Sequence, residues 1–246
     1  MVIMSTLEHS FQTFLDVLFP PQCVSCKCRL LRSGSRTPVI CETCFSAIPI
    51  SSGFFCPACK KRLYEPRVSC HRDARFVAGA AAPFASPQIQ ALIHALKYQS
   101  CRNAAFPLAA LLHAYCGKMK FFDSFSSALL IPIPLYPRRE RARGFNQAAC
   151  IAQSFLSLSH NPNVVLDSKN LIRTRNTASQ TKQKTYEDRR KNVEGSFSLR
   201  RPDLVRGRNI ILLDDVYTSG ATASEAVRIL KQAGARRIVA LTIARA

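Results

Sequence analysis

Apolar positions along the chain change their rhythm near residue 75. From there, short apolar runs alternate with apolar stripes at helical spacing. Arg75 to Phe84 reads as a strand, and Ser86-Pro87 then supplies an N-cap with proline at the first helical position. Ile89, Leu92, Ile93 and Leu96 share one face of that helix; His94 lies beside the face and reads as structural. Phe106 to Tyr115 predicts a second helix, Ala128 to Leu135 a buried strand, and Gln147 to Leu158 a third helix. Val164 to Leu166 and Leu171 to Arg173 predict short strands, followed by a polar, basic stretch to about Arg208. Alternation of this kind predicts an α/β domain with a mainly parallel sheet and helices on both faces. Before residue 75, the first twenty residues predict a helix with Phe11, Phe14, Leu15 and Leu18 on one stripe.

Composition sharpens the picture. The chain has 246 residues, 47% hydrophobic and 20% charged, enough to bury a core and against wholesale disorder. Lys and Arg number 35 against 15 Asp and Glu, a formal charge of +20, which calls for a polyanionic partner. No apolar run approaches the ~18 residues of a membrane span. Glu8 and Asp16 break the leading segment, so a signal peptide is not expected and the cytoplasm is the expected compartment.

Eight of the eleven cysteines lie in the first seventy residues, which predicts a small cysteine-rich unit at 1–76 ahead of a larger domain at 77–246. Cys23-x2-Cys26 and Cys41-x2-Cys44 have structural-zinc spacing: each pair makes a tight turn that aims two thiolates at one tetrahedral centre. A disulfide framework would need an oxidising compartment. Cys56-x2-Cys59 opens a second site with Cys70, where the expected fourth cysteine is replaced by Asp73. Asp73, His71, Cys28 or no residue remain open as its fourth ligand. Sequential sites are expected, with the interleaved pairing open. Such closed sites add folding energy to a region too small for its own core. Phe45, Phe54, Phe55 and Tyr64 read first as the ribbon's miniature core, and second as stacking partners for single-stranded bases.

The most informative segment runs from Ile210 to Thr222. Four large apolar residues fit a central parallel strand and stop at Asp214-Asp215, acids placed at the carboxyl edge where α/β sheets bind ligands. Thr218, Ser219, Gly220, Ala221 and Thr222 then form a hydroxyl-rich loop opening a helix, a ready anion cradle. Two acids beside a phosphate cradle suit a ribose phosphate, with hydroxyls on the carboxylates and phosphate on the loop.

This segment resembles the binding motif for 5-phosphoribosyl-1-pyrophosphate (PRPP) of type I phosphoribosyltransferases, except that Ala221 stands where many members carry threonine. Together with the cysteine-rich start, Leu92 to Tyr98, Pro132 to Leu135, Arg143-Gly144-Phe145-Asn146-Gln147 and Arg173 to Gln180, it closely resembles the ComF family, which includes GntX-like proteins, from about residue 15 to 246. The resemblance implies zinc ribbons joined to a phosphoribosyltransferase-like domain, a role in natural competence, and help with single-stranded DNA uptake. It implies PRPP with Mg²⁺ at Asp214, Asp215 and the 218–222 loop, and places Arg143 with the catalytic acids. The turn after the Pro132 strand resembles a pyrophosphate loop, followed by Arg138, Arg139 and Arg141; Lys182, Lys184, Arg189 and Arg190 fall on the stretch that is a mobile flap in relatives. All seven are candidates for pyrophosphate or nucleic acid, and Leu171 to Arg208 carries a net charge of +7. Three readings follow: a ribose-phosphate-binding protein that handles single-stranded DNA, an active phosphoribosyltransferase, or a non-catalytic platform for DNA and for uptake or recombination proteins.

Overall fold

The computed structural model describes residues 20–31, 38–66, 70–71, 74–125, 127–176 and 191–246. The leading helix, Asp73, Lys182, Lys184, Arg189 and Arg190 lie outside them.

The centre is a seven-stranded sheet in the order β2-β1-β3-β9-β8-β4-β5. Its strands are β1 (Phe54–Phe55), β2 (Arg62–Leu63), β3 (Val77–Pro83), β4 (Ala128–Pro132), β5 (Val164–Leu166), β8 (Asn209–Tyr217) and β9 (Arg237–Arg245). The five from β3 to β5 are parallel; β1 and β2 add antiparallel at the β3 edge, through Phe55 opposite Ala78. The sheet is therefore mainly parallel, as its apolar runs predict. A separate hairpin pairs β6 (Leu171–Arg173) with β7 (Phe197–Leu199). β7 and β9 were not foreseen, and β8 continues through Tyr217 where the sequence reading ends it at Asp214.

Helices cover both faces. α1 (Glu42–Ser46) belongs to the cysteine-rich part; α2 (Pro87–Tyr98), α3 (Ala105–Lys118), the short α4 (Phe121–Ser124) and α6 (Gln147–Ser159) pack on one face of the sheet. α7 (Ala221–Gln232) buries Ala223, Ala226, Val227 and Leu230 on the other. α5 (Pro137–Arg143) buries nothing, which is why no apolar stripe announces it. Gly144, at φ +82°, ends it in a left-handed turn that favours glycine.

The cysteine-rich part joins the same core. Val39, Ile48, Phe54, Cys56 and Leu63 belong to the cluster that contains α2, α3 and α6. Phe54 meets Tyr115 edge-on at 5.9 Å between centroids, and the Tyr115 hydroxyl donates to the Gly53 carbonyl at 2.8 Å. Phe54 and Phe55 are buried core residues, whereas Tyr64 is exposed. No helix among the described residues is long and apolar enough to cross a membrane.

Candidate functional site

Residue order along β8 sorts its side chains between the two faces. Ile211 and Leu213 enter the α2/α3/α6 core; Ile210 and Leu212 enter the α7 core. Beyond the acids the alternation slips by one residue, since Val216 packs with the first core and Tyr217 with the second. The two aspartates sit at this slip, inside the strand.

Asp215 is buried and already partnered. Lys97, from the last turn of α2, places its ammonium 2.9 Å from Asp215 Oδ2, and Gln147 Nε2 donates to the same oxygen at 3.1 Å. Gln147 Oε1 in turn accepts from Arg143 at 2.6 Å. Burial alone would lower the Lys97 pKa, but the charge and hydrogen bond of Asp215, with the Asp214 charge behind them, together outweigh it and raise the pKa.

Each residue of the Arg143 to Gln147 motif has a task here. Gly144 makes the left-handed turn, and Phe145 is buried beneath the Arg102 guanidinium, 4.9 Å from its ring centroid. Asn146 caps α6 by accepting from the Ala148 N–H and donates to the Ile133 carbonyl at 3.0 Å, fastening the helix to the end of β4.

Asp214 is different. Its Oδ1 accepts from the Asp215 N–H at 2.9 Å, and it lines a small cavity of about 40 Å³ with Tyr217, Thr218, Gly220 and Thr222. Burial first, and the neighbouring Asp215 charge second, push its pKa up to about 7. The half-buried Arg173 lies on the same side; burial and Arg139 lower its pKa while Asp214 opposes them. So the acids are not equivalent in the fold: Asp215 is held by Lys97 and Gln147, whereas Asp214 accepts from the Asp215 N–H and faces the small cavity.

The loop has the shape of an anion cradle. Gly220 caps α7 at φ +82°, and a Cβ there would lie 2.1 Å from the Tyr217 hydroxyl, so only glycine fits. Ser219 Oγ accepts from the Ala221 N–H at 3.3 Å, and Ala221 is buried. Tyr217 also meets the cysteine-rich part: Lys60 Nζ lies 5.0 Å from its ring centroid and Phe55 packs edge-on at 4.9 Å. Arg138 and Arg141 on α5 are exposed; Arg139 and Arg143 are half-buried, and Arg143 joins the acid network through Gln147.

Two thiol clusters form in chain order. Ligand atoms of Cys23, Cys26, Cys28 and Cys41 all lie within 4.8 Å of one another, as do those of Cys56, Cys59, Cys70 and His71. Cys44 adjoins the first, its N–H donating to Cys41 Sγ at 3.4 Å. Burial opposes ionisation of Cys23, but backbone N–H groups of Cys41, Cys26 and Ser25 bring its pKa down to about 6. Hydrogen bonding to Cys26 pushes Cys28 up to about 12; Cys41 does the same to Cys44, and Cys56 and Cys59 to Cys70. Thiols crowded so that some ionise only at the expense of others fit a bound zinc ion, which takes up the shared negative charge. Among the described residues His71 completes the second set.

Lys97, Gln147 and Arg173 were not singled out as site residues by sequence. All three stand inside the family-like segments 92–98, 143–147 and 173–180, which is the signal that points to them.

The fold and loop thus define an α/β protein with a glycine-containing loop opening a helix at the carboxyl edge of its sheet, and cysteine clusters at one side. A double zinc ribbon domain family model matches residues 14–75. DNA utilization protein YhgH of Escherichia coli O157:H7 is 30% identical over 207 residues, covering 81% of this chain and 87% of that protein. Competence protein ComFC of Bacillus subtilis (strain 168) is 37% identical over 132 residues, 51% of this chain and 49% of that one. Among solved structures, glutamine phosphoribosylpyrophosphate amidotransferase from B. subtilis, complexed with ADP and GMP, gives a TM-score of 0.37 at 17% identity, covering 57% of this chain and 26% of that chain. The chain belongs to the ComF family.

Proposed function

We propose that the chain binds PRPP or a related ribose phosphate together with Mg²⁺, and that its basic surface handles single-stranded DNA in the cytoplasm during DNA uptake. The observation that carries this reading is Asp214 beside the Gly220 cradle at the start of α7. The names of its relatives, a competence protein and DNA utilization proteins, support the DNA side.

In this reading the backbone N–H groups and hydroxyls of Thr218, Ser219, Gly220, Ala221 and Thr222 hold the 5-phosphate. Asp214 accepts from a ribose hydroxyl, and Asp215 positions Lys97, Gln147 and, through Gln147, Arg143. Asp214 offers the hard oxygen donor that Mg²⁺ prefers. Bound Mg²⁺ would neutralise charge on the pyrophosphate group of the ligand. Arg139, Arg143 and Arg173 supply protein cations on that side and the exposed Arg138 and Arg141 add charge for nucleic acid, while Lys182, Lys184, Arg189 and Arg190, outside the described residues, are further candidates by sequence. Zinc is structural: Cys23, Cys26 and Cys41 with Cys44 or Cys28 hold one ion, and Cys56, Cys59 and Cys70 with His71 the other.

Phosphoribosyl transfer to an acceptor is the second reading, favoured by a cleft that opens beside Lys97. PRPP binding in the presence of Mg²⁺, with single-stranded DNA binding measured across a salt series, tests the proposal. Saturable PRPP binding and DNA affinity that falls with salt support it; DNA affinity indifferent to salt contradicts the DNA half.

A further inference from the structure

Tyr217, the last residue of β8, carries its ring from the sheet to the second cysteine knuckle. Phe55, directly before Cys56, packs edge-on against that ring at 4.9 Å, and Lys60, directly after Cys59, brings its Nζ to 5.0 Å from the ring centroid and 3.5 Å from the hydroxyl. The same hydroxyl lies against Gly220 and leaves no room there for a Cβ. We propose that the second cysteine knuckle positions the phosphate loop: Phe55 and Lys60 clamp Tyr217, Tyr217 holds Gly220, and the second metal site is thereby coupled to ligand binding at the loop.

Lys60 suits this task because the knuckle fixes it at both ends. Its backbone N–H donates to the Cys56 carbonyl at 2.9 Å, and the Cys56 N–H donates to the Lys61 carbonyl at 2.9 Å. These bonds hold residue 60 in the left-handed region at φ +63°, which a residue with a side chain keeps only where its surroundings enforce it. Its ammonium donates to the Pro57 carbonyl at 2.8 Å, inside the same turn. Phe55 is fixed in turn by Arg245, the residue opposite Tyr217 on β9, whose guanidinium stands 4.2 Å from the Phe55 centroid. Cys56 and Cys59 frame the turn and belong to the second thiol cluster. A metal ion joining their thiolates closes the turn, and without one their shared negative charge opposes closure. Lys60 is thus a positioning residue that acts through Tyr217.

Coupling between two sites is reciprocal: the factor by which the closed knuckle raises ligand affinity is the factor by which the ligand raises zinc affinity at Cys56, Cys59 and Cys70. The identity of that ligand rests on the ribose-phosphate reading; the clamp on Tyr217 does not. Hydrogen exchange of the segment 217–222 reads the clamp without any ligand. It is measured on the full chain in its native form, in Lys60→Met, in Cys59→Ser, which opens the metal site, and in Lys61→Met, which removes a charge from the same exposed knuckle. PRPP with Mg²⁺ is titrated into all four, and the zinc affinity of the native chain is measured by competition with a zinc-selective chelator, with and without PRPP.

Exchange about fivefold faster in Lys60→Met and Cys59→Ser and unchanged in Lys61→Met supports the proposal, as does a fall of about fivefold in PRPP affinity in the same two variants. PRPP should raise the affinity of one zinc ion by a matching factor. If Cys59→Ser does not fold, Lys60→Met with both zinc ions retained decides by itself. Native exchange and native affinity in Lys60→Met overturn the proposal. So does an equal loss in Lys60→Met and Lys61→Met, since surface charge alone then explains it. Faster exchange in Lys60→Met and Cys59→Ser with no PRPP binding by the native chain overturns the ribose-phosphate reading and leaves the clamp standing.

Discussion

Lys97 Nζ stands 2.9 Å from Asp215 Oδ2, joining the last turn of α2 to the middle of the sheet across a separation of 118 residues. Removing one member of a buried ion pair leaves the other charge stranded. Lys97→Ala is therefore expected to lower stability by about 3–5 kcal/mol, read by urea unfolding, while a Lys97→Met, Asp215→Leu double variant recovers much of the loss. The Lys97 pKa is raised in the fold, so its contribution is complete below the ordinary lysine pKa and is lost as pH rises through the folded value. Alkaline unfolding of Lys97→Met should consequently be less steep than that of the native chain.

Asp214 gives the opposite pH signature. Its folded pKa of about 7 exceeds the ordinary 3.8, so between those values the fold holds a proton that the unfolded chain releases. Stability without ligand should fall as pH rises from about 4 to 7, and Asp214→Asn should flatten that slope. Because the ionised carboxylate is the form that accepts from a hydroxyl or faces a cation, PRPP with Mg²⁺ should bind more tightly as pH rises through 7 in the native chain. Asp214→Asn should lose that part of the dependence. Calorimetry in buffers of different ionisation enthalpy reads the proton release directly.

Gly220→Ala is expected to weaken ligand binding through shape alone. The residue sits at φ +82°, which costs an L side chain about 1–2 kcal/mol, and its new Cβ would strike the Tyr217 hydroxyl. Affinity for PRPP should drop tenfold or more while zinc content stays unchanged. Unaltered affinity would show that the cradle does not hold the phosphate.

Metal analysis distinguishes the ligand sets. Two zinc equivalents are expected for the native chain, and His71→Ala should release one of them. Five thiols meet at the first cluster where four ligands are needed, so one of Cys28→Ser and Cys44→Ser should keep both ions and the other should not. Retention of two ions in His71→Ala would point away from His71 and toward a ligand such as Asp73.

Local pattern made much of the fold legible. Pro87 behind Ser86 marks the start of α2, and Ile210 to Leu213 fit a strand covered on both faces. What escaped has physical reasons. α5 has no buried face, β1 and β2 are two residues each, and β7 finds its partner Leu171–Arg173 across a long basic stretch. In the site, Asp214, Gly220 and Arg143 were visible because their motif is contiguous. Lys97 and Gln147 carry no such signal, since a contact between residues far apart in the chain leaves no periodicity. The two acids look equivalent in sequence; only the structure shows that Asp215 is occupied by the ion pair and Asp214 is not.

The most direct test is calorimetric titration of PRPP with Mg²⁺ into the native chain and into Asp214→Asn, which leaves the Lys97–Asp215 pair intact. Saturable binding by the native chain, weakened at least tenfold in Asp214→Asn, is the expected result. No binding by a folded, zinc-loaded native chain, or equal binding by both, would contradict the assignment of Asp214 and the Gly220 loop as a ribose-phosphate site.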